Sequence, residues 1–198
     1  LKDAVEKDCC HRAASVKEEI AFALQHEDLA GIFGKLLENG EVPLRVTHND
    51  TKLNNIMIDL ETGKGICVVD LDTVMPGLAM NDFGDAIRFG ASTALEDEKD
   101  LSKVSCDMEL YEIYVKGFLE SCGDKLNARE IEMLPMGAKV MTYECGIRFL
   151  TDYLEGDHYF KIDREDHNLD RCRTQFKLVA DMEQKWDTMQ TIVKKYQK

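Results

Sequence analysis

The residues best suited to chemistry lie close together in one short polar segment. Residues 47–55 read THNDTKLNN and contain a histidine, an aspartate, a lysine and three asparagines. An aspartate in such a segment can take a proton from a hydroxyl group, and an asparagine can offer an amide oxygen to a cation. Because the apolar stretch IMIDL (56–60) follows, we expect a polar loop between two strands. The plain alternative is a solvated turn in which Asn and Asp bond to the local backbone.

A predicted β-hairpin brings further oxygen-bearing side chains to this loop. Segments 56–60 and 66–70 are rich in β-branched residues, and the glycine-containing turn ETGKG separates them. The symmetric register places Ile56 opposite Asp70, at the end of the hairpin where the polar loop ends. Four oxygen-bearing side chains are expected to converge there: Asp50, Asn55, Asp70 and Asp72.

Several carboxylate and amide oxygens in one place favour a bound cation. Their mutual repulsion and desolvation are costly unless a positive charge lies between them. Oxygen ligands of this kind suit Mg²⁺, which shares its coordination with phosphates. Zinc would prefer more His and Cys than the segment offers. The hairpin and loop therefore predict a Mg²⁺ site.

The spacing His48-x-Asp50-x-x-x-x-Asn55 resembles the H-x-D-x-x-x-x-N catalytic loop of protein kinases. A lysine, here Lys52, also follows two residues after the aspartate. Kinases place a second metal-binding aspartate after an apolar strand, which matches Asp70. In phosphoryl transfer one aspartate orients the acceptor hydroxyl and takes its proton, while an amide and a second aspartate hold Mg²⁺ on the phosphates. The pattern therefore predicts transfer of a phosphoryl group from ATP.

Three longer segments together resemble the aminoglycoside phosphotransferase and choline kinase superfamily: THNDTKLNNIMID, VVDLDTVMPG and DFGDAIRFG. More narrowly they are similar to bacterial N-acetylhexosamine 1-kinases, which use ATP to phosphorylate the anomeric hydroxyl of N-acetylglucosamine or N-acetylgalactosamine. The resemblance implies Asp50 as the catalytic base, with Asn55 and Asp70 as the Mg²⁺ ligands. It further implies that Asp85 braces the catalytic loop.

A later segment, ECGIRFLTDYLEGDHYF, also resembles the hexosamine kinases. It implies Arg148 and Tyr159 as sugar contacts, since an arginine fork can bind hydroxyl or acetamido oxygens and a tyrosine offers a ring face. Taken alone, an arginine in a helix more often pairs with a neighbouring acid. We assign Asp72 to the substrate as well, with metal-binding and structural roles left open.

Two residues of the polar loop have supporting roles in this interpretation. His48 is expected to brace the loop by bonding to its backbone rather than to act in catalysis. Lys52 is expected to contact a transferring phosphate, and the alternative is an ordinary surface lysine. Arg88 is expected to pair with acids in its own helix.

The remaining sequence predicts an α+β protein that is mainly α. Apolar residues at helical spacing predict helices before residue 40, and everything after Pro76-Gly77 is predicted to be helical. Asn81 or Asp82 is expected to cap the first of these later helices. Seven apolar residues spaced by three or four predict one long C-terminal helix: Cys172, Phe176, Val179, Met182, Trp186, Met189 and Val193.

The resemblance implies that residues 1–198 form the C-terminal lobe of a kinase-like fold, with catalytic loop 47–55 and metal-binding hairpin 56–74. Residues 1–46 show no glycine-rich strand–loop–strand like that of a nucleotide-binding lobe. We expect that N-terminal lobe of the same protein to be a partner, and the chain alone to be inactive. A pseudokinase-like sugar-binding lobe is the alternative, and exposed apolar surface would favour self-association.

Composition narrows the class of protein. A net charge of −13 would repel phosphate backbones, which makes nucleic-acid binding an unfavourable interpretation. No apolar run reaches the ~20 residues of a membrane span. Seven cysteines without a C-x-x-C pair predict reduced, mostly buried thiols, Cys67 among them, in a cytoplasmic protein.

One enzyme of a different class shares part of the pattern. The segment CVVDLDTVM resembles the first motif of haloacid-dehalogenase-type phosphatases, with Asp70 as nucleophile and Asp72 as acid. That fold needs alternating strands and helices afterwards to build a parallel sheet. Because the residues after 76 are predicted to be helical, we expect a kinase rather than such a phosphatase.

Overall fold

The computed structural model describes residues 1–197 and is mainly helical. Within this range nine α-helices form, and short 3₁₀ turns connect several of them. Their bounds are α1 (Lys2–Lys7), α2 (Lys17–Gln25), α3 (Ile32–Glu38), α4 (Ala79–Gly90), α5 (Met108–Cys122), α6 (Ala128–Glu132), α7 (Leu134–Glu155), α8 (His167–Gln184) and α9 (Trp186–Tyr196). The prediction of a mainly helical α+β chain is confirmed.

Four short strands in the described residues form two separate antiparallel pairs. The strands are β1 (Arg45–Thr47), β2 (Ile56–Ile58), β3 (Gly65–Val68) and β4 (Met75–Gly77). β1 pairs with β4, and β2 pairs with β3. Since these strands pair only antiparallel, the parallel sheet that the phosphatase alternative requires does not form among residues 1–197.

The β2–β3 hairpin forms as predicted, but its predicted register is wrong by two residues. Ile56 lies opposite Val68 rather than opposite Asp70, and the ladder is irregular between Met57 and Ile58. The turn begins earlier than the pattern indicated, because the Asp59 carboxylate accepts hydrogen bonds from the backbone N–H groups of Glu61 at 2.9 Å and Thr62 at 2.8 Å. The pairing nevertheless continues from Val68 to the loop, and the next residue donates its N–H to the Asn55 carbonyl at 2.9 Å. Asp70 therefore still lies at the loop.

Helix α7 is the central element, with α4 packed on one side and α8 on another. Two glycines allow the close approach of α4 and α7. A Cβ added at Gly84 would lie 2.2 Å from the carbonyl oxygen of Gly137, and a Cβ at Gly137 would lie 2.2 Å from that of Met80. This contact fixes α4, and with it the loop that α4 anchors, against the helical core.

Local sequence signals set several helix boundaries. α3 ends at Glu38 and is followed by its C-cap Asn39 and by Gly40, whose φ of +70° favours glycine. α5 is capped by Gly123, and Asn127 with Glu130 forms a capping box at α6. Pro135 lies in the first turn of α7, where its missing N–H costs little.

Two other helix predictions are wrong. α4 begins at Ala79 with Leu78 as its N-cap, rather than at Asn81 or Asp82, because the Asp82 carboxylate bonds to a different segment. The predicted long C-terminal helix is divided at Lys185 into α8 and α9. The Lys185 ammonium there bonds to Asp181 at 2.7 Å and to the carbonyl of Cys106 at 2.9 Å, so the break lies against another part of the chain.

The seven cysteines are free thiols in the structure. Burial of the thiols is less general than predicted, because Cys9, Cys10 and Cys67 are exposed. Cys67 lies on the β2–β3 hairpin, whose strand residues are all exposed. No helix among residues 1–197 has the length and apolar character needed to cross a membrane.

Candidate active site

The loop between β1 and β2 is fixed to helix α4 by one carboxylate. Both oxygens of Asp82 accept backbone hydrogen bonds, from the N–H groups of His48 and Asn49, each at 2.8 Å. Asn49 has a φ of +65°, a conformation that Asn tolerates better than most residues. A carboxylate that binds two successive amides holds this strained turn in place. The bracing bonds thus come from Asp82 rather than from Asp85, the residue that the resemblance implied.

His48 bonds to the backbone, as expected for a structural residue. Its Nε2 lies 3.0 Å from the carbonyl oxygen of Val69, which requires that Nε2 carry the proton. The His48 carbonyl in turn accepts a hydrogen bond from the Thr73 hydroxyl at 2.7 Å. These bonds join the loop to the segment that follows β3.

Asp50, Lys52 and Asn55 come together within the loop. The Asn55 amide donates to the Asp50 carbonyl at 2.8 Å and to Asp50 Oδ2 at 3.0 Å. The Lys52 ammonium lies 3.0 Å from the same Oδ2. One oxygen of the Asp50 carboxylate is therefore occupied by two donors, and Oδ1 is left for other contacts. Asn55 is buried, and because its NH₂ group makes both bonds, its Oδ1 is available as a ligand.

Asp70 and Asp72 lie beside the same loop, with their carboxylates close to each other. Asp70 has a φ of +63° and stands at the start of a 3₁₀ turn. A hydrogen bond with Asp72, the charge of that carboxylate and the nearby charge of Asp50 raise the pKa of Asp70. The hydrogen bond from Asp70 lowers the pKa of Asp72. Crowded carboxylates of this kind are what a bound cation would relieve.

A cleft with a volume of about 390 Å³ opens beside Asp50. Its wall contains four acidic and five basic side chains together with aromatic faces. The acidic ones are Asp50, Asp85, Glu96 and Glu144, the basic ones are Lys52, Arg88, Arg148, Lys161 and Arg171, and the aromatic ones are Phe149 and Phe160. The charges nearly balance, so the cleft as a whole favours neither a cation nor an anion.

A buried ion-pair network forms the floor of this cleft. Asp85 Oδ1 accepts two hydrogen bonds from Arg88, from Nε at 3.1 Å and from Nη2 at 3.0 Å. Arg88 Nη1 donates to Glu96 at 2.6 Å. Burial alone would lower the pKa of Arg88, but Cys145, Asp85 and Glu96 outweigh burial and raise it. Burial also raises the pKa of the Cys145 thiol to about 12, so at neutral pH the two carboxylates are the groups that hold the guanidinium.

Arg148 lies in the cleft wall with Asp50, as the resemblance implied, but Tyr159 does not. The Arg148 guanidinium is 5.4 Å from the Phe160 ring and 5.7 Å from the Tyr159 ring. Tyr159 is 74% exposed and lines a neighbouring pocket that shares Arg148. Glu144 is 3.7 Å from Arg148, which is the neighbouring-acid pairing that the sequence also allowed. Asp70 and Asp72 do not line the cleft.

The buried carboxylate of Asp152 positions the segment that contains Tyr159 and Phe160. Asp152 accepts backbone hydrogen bonds from His158, Tyr159 and Phe160 at 2.8 to 2.9 Å. Asn168 adds a fourth bond to Asp152 at 2.9 Å. The turn after α7 is therefore rigid enough to place an aromatic face beside Arg148.

The residues present suit Mg²⁺ better than they suit a metal ion whose ligands all come from the protein. Among residues 1–197 no group of three or more His, Cys, Asp or Glu side chains has the geometry of a metal site. Asn55 has a free Oδ1, and Asp70 follows Val69, whose N–H binds the Asn55 carbonyl. Mg²⁺ commonly takes only one or two carboxylates and completes its shell with water and phosphate. Asn55 and Asp70 would hold the ion.

Sequence reasoning missed the residues that support the site from outside the loop. Asp82 was expected to cap a helix, and Glu96, Phe149 and Phe160 were not singled out. The carboxylate of Asp82 lies one turn before that of Asp85 on α4, so the spacing of acids on that helix was the available signal. Glu96 lies in an irregular segment with no such pattern.

The comparison with known families concerns the part of the chain that contains the loop and the ion-pair network. The sequence profile of the phosphotransferase enzyme family, APH, matches residues 1–110. The matched range includes Asp50, Asn55, Asp70 and Asp85 and ends before Arg148. Since it covers more than half of the 198 residues, the chain belongs to the phosphotransferase enzyme family.

Proposed function

We propose that this protein transfers the γ-phosphoryl group of ATP to a hydroxyl group of a sugar, and that the sugar is an N-acetylhexosamine phosphorylated at its anomeric hydroxyl. The observation that carries the proposal is the position of Asp50. Its carboxylate is fixed by Asn55 and Lys52, and it stands in the wall of a 390 Å³ cleft that also contains Arg148.

Asp50 acts as the base in this proposal. Because Asn55 and Lys52 both occupy Oδ2, Oδ1 accepts the hydrogen bond from the acceptor hydroxyl and then its proton. The hydroxyl oxygen forms the new bond to the γ-phosphorus, the bond from that phosphorus to the β–γ bridging oxygen breaks, and ADP leaves with the bond electrons. The Lys52 ammonium lies beside Asp50, where it can contact the phosphoryl group during transfer.

The chemistry of the cleft supports a sugar over a charged acceptor. A sugar presents several hydroxyls that both donate and accept, and a wall of alternating carboxylates and guanidinium groups can satisfy them. The partly exposed Phe160 ring adds apolar surface to the wall, which suits the apolar face of a pyranose ring. Choline or an aminoglycoside, as a cation, would favour a wall with an excess of acids, whereas this one has five basic and four acidic side chains.

Mg²⁺ is part of the proposal. When bound by Asn55 and Asp70, the ion would neutralise charge on the ATP phosphates during transfer. The protein's own contribution is the orientation of these two residues, through the hydrogen bonds from Asn55 to Asp50 and the left-handed backbone at Asp70.

We also propose that a nucleotide-binding lobe of the same protein covers the β elements. Large apolar side chains there face solvent, with Val46 84% exposed, Leu60 98% and Ile66 64%. A surface of this kind commonly marks a contact with another domain or another copy. In this proposal the present chain supplies the catalytic loop and the acceptor site, and a sugar-binding lobe without transfer activity is the second candidate, favoured by the same exposed surface.

A pair of arginine variants tests the acceptor site. Arg148→Gln should weaken binding of N-acetylglucosamine by roughly tenfold, because a partly exposed charged hydrogen bond is lost. Arg173→Gln is the matched control: its side chain is similarly exposed (42% against 46%) but pairs with Glu19 and does not line the cleft. Calorimetric titration with the sugar, and with choline as a charged competitor, provides the readout. Equal affinities for the two variants, or tighter binding of choline than of the sugar, would contradict the proposal.

A further inference from the structure

The Asp85 carboxylate has one oxygen that no protein group satisfies. The residue is only 7% exposed, and it lines the same cleft as Asp50. Both hydrogen bonds from Arg88 go to Oδ1. Oδ2 is buried and has no hydrogen-bond partner.

This arrangement differs from the Arg45–Glu130 pair, whose carboxylate is also buried. Arg45 binds Glu130 through two parallel bonds, from Nε to Oε1 at 3.0 Å and from Nη2 to Oε2 at 2.7 Å, so both oxygens are satisfied. That bidentate geometry is the stronger one. In the Asp85 pair one oxygen is left over, and an unsatisfied buried charged oxygen costs free energy unless a ligand completes it.

The carboxylate cannot easily turn to satisfy Oδ2. Arg88 is buried and is also held by Glu96 through its third nitrogen, so the guanidinium plane is fixed between two acids. The Gly84–Gly137 contact, next to Asp85 in sequence, fixes the helix itself. The carboxylate is therefore held by a rigid support, and Asp85 is one of the residues that line the cleft.

We propose that Asp85 determines specificity in the acceptor site, where its Oδ2 accepts a hydrogen bond from a sugar hydroxyl other than the one that Asp50 deprotonates. The inference rests on the proposed function, since it takes the ligand of the cleft to be a sugar. Asp50 and Asp85 then bind two hydroxyls of one ring, which fixes the ring's orientation. An acceptor that lacks the second hydroxyl leaves Oδ2 unsatisfied and binds poorly.

The first test uses the unaltered protein with N-acetylglucosamine and its monodeoxy and deoxyfluoro analogues at each non-anomeric hydroxyl. At one position, loss of the hydroxyl should weaken binding by about ten- to hundredfold, as for a hydrogen bond to a charged group. The deoxyfluoro sugar at that position should bind no better than the deoxy sugar, because fluorine cannot donate. The side-chain carboxyl ¹³C resonance of Asp85 should shift with the parent sugar and stay unshifted with these two analogues.

The second test inverts the preference. In Asp85→Asn the Arg88 bonds retain the amide oxygen at the Oδ1 position, so the NH₂ group takes the place of Oδ2 and presents a donor. The ratio of deoxyfluoro to parent affinity at that position should then rise by about tenfold or more over the unaltered protein. Glu130→Gln is the matched control, since it also weakens a buried arginine–carboxylate pair but lies outside the cleft.

The outcomes separate the inference from the proposed function. If the sugar binds but no position shows the Asp85-dependent preference, or if the Asp85 resonance responds equally to all analogues, the inference is wrong and the acceptor class stands. If no sugar binds the folded protein, both are wrong. The resonance measurement needs no variant, so it decides the question even if Asp85→Asn does not fold.

Discussion

Replacement of Asp82 should loosen the loop that contains Asp50 while the helical core stays folded. The Asp82 carboxylate is the only described group that binds the N–H groups of His48 and Asn49. In Asp82→Ala both amides lose their acceptor. In Asp82→Asn one acceptor oxygen remains, so the loss should be smaller.

The magnitude follows from the geometry of the two bonds. Each is 2.8 Å long and joins an amide to a separate carboxylate oxygen. Hydrogen bonds to charged groups contribute about 1.5–3 kcal/mol each. Water can replace the acceptor at Asn49, which is exposed, so the expected loss in the local opening free energy is ~2–4 kcal/mol rather than the full sum.

Native-state amide hydrogen exchange measures this loss directly. The protection of the His48 amide in Asp82→Ala should fall by roughly 30- to 1,000-fold, since each 1.4 kcal/mol is tenfold. Asp187→Ala, on the exposed N-terminal turn of α9, is the control and should leave this amide unchanged. Unchanged protection of His48 and Asn49 in a folded Asp82→Ala protein would refute the reasoning.

Three further predictions concern packing, pH and thiol reactivity. Gly84→Ala should lower the free energy of unfolding by about 1–3 kcal/mol in chemical denaturation, because the added methyl group meets the Gly137 backbone; an unchanged midpoint would contradict the helix contact. Burial alone would raise the pKa of Asp181, but hydrogen bonds from Lys185, the Cys106 amide and Ser105 outweigh burial and lower it. The ionised carboxylate therefore stabilises the fold above its unfolded pKa, and this contribution is lost as pH falls through the lower folded pKa. Asp181→Asn should flatten the acid limb of a curve of unfolding free energy against pH. A thiol reagent should quickly modify the three exposed cysteines of the native protein, Cys9, Cys10 and Cys67, and all seven cysteines in denaturant. Fast modification of a fourth cysteine in the native protein would contradict the burial pattern.

Local patterns were sufficient to predict most of the helices and the existence of the hairpin. The hairpin register could not be obtained from alternation alone, because the Asp59 side chain starts the turn before the apolar stretch ends, and Leu60 is left 98% exposed. The apolar stripe of the last two helices continues across Lys185, so its spacing cannot reveal a break that depends on contacts with the Cys106 segment.

The site divides in the same way. Asp50, Lys52 and Asn55 lie on one short loop, and the spacing within that loop was enough to predict that they meet. The partners of Arg88 and the brace from Asp82 depend on how α4 lies against the loop and the following irregular segment. That placement results from packing of α4 on α7 and leaves no period in the sequence.

The most direct test of the central claim is the effect of Asp50→Asn on ATP-dependent phosphorylation of N-acetylglucosamine by the natural full-length protein. Loss of a positioned base should lower kcat by about 100- to 10,000-fold. Calorimetric titration of the same variant should give a sugar affinity lowered by no more than about tenfold, because the amide keeps the size of the carboxylate, its NH₂ group can donate to the hydroxyl oxygen, and the rest of the cleft is intact. Undiminished turnover in Asp50→Asn would contradict the assignment of Asp50 as the base.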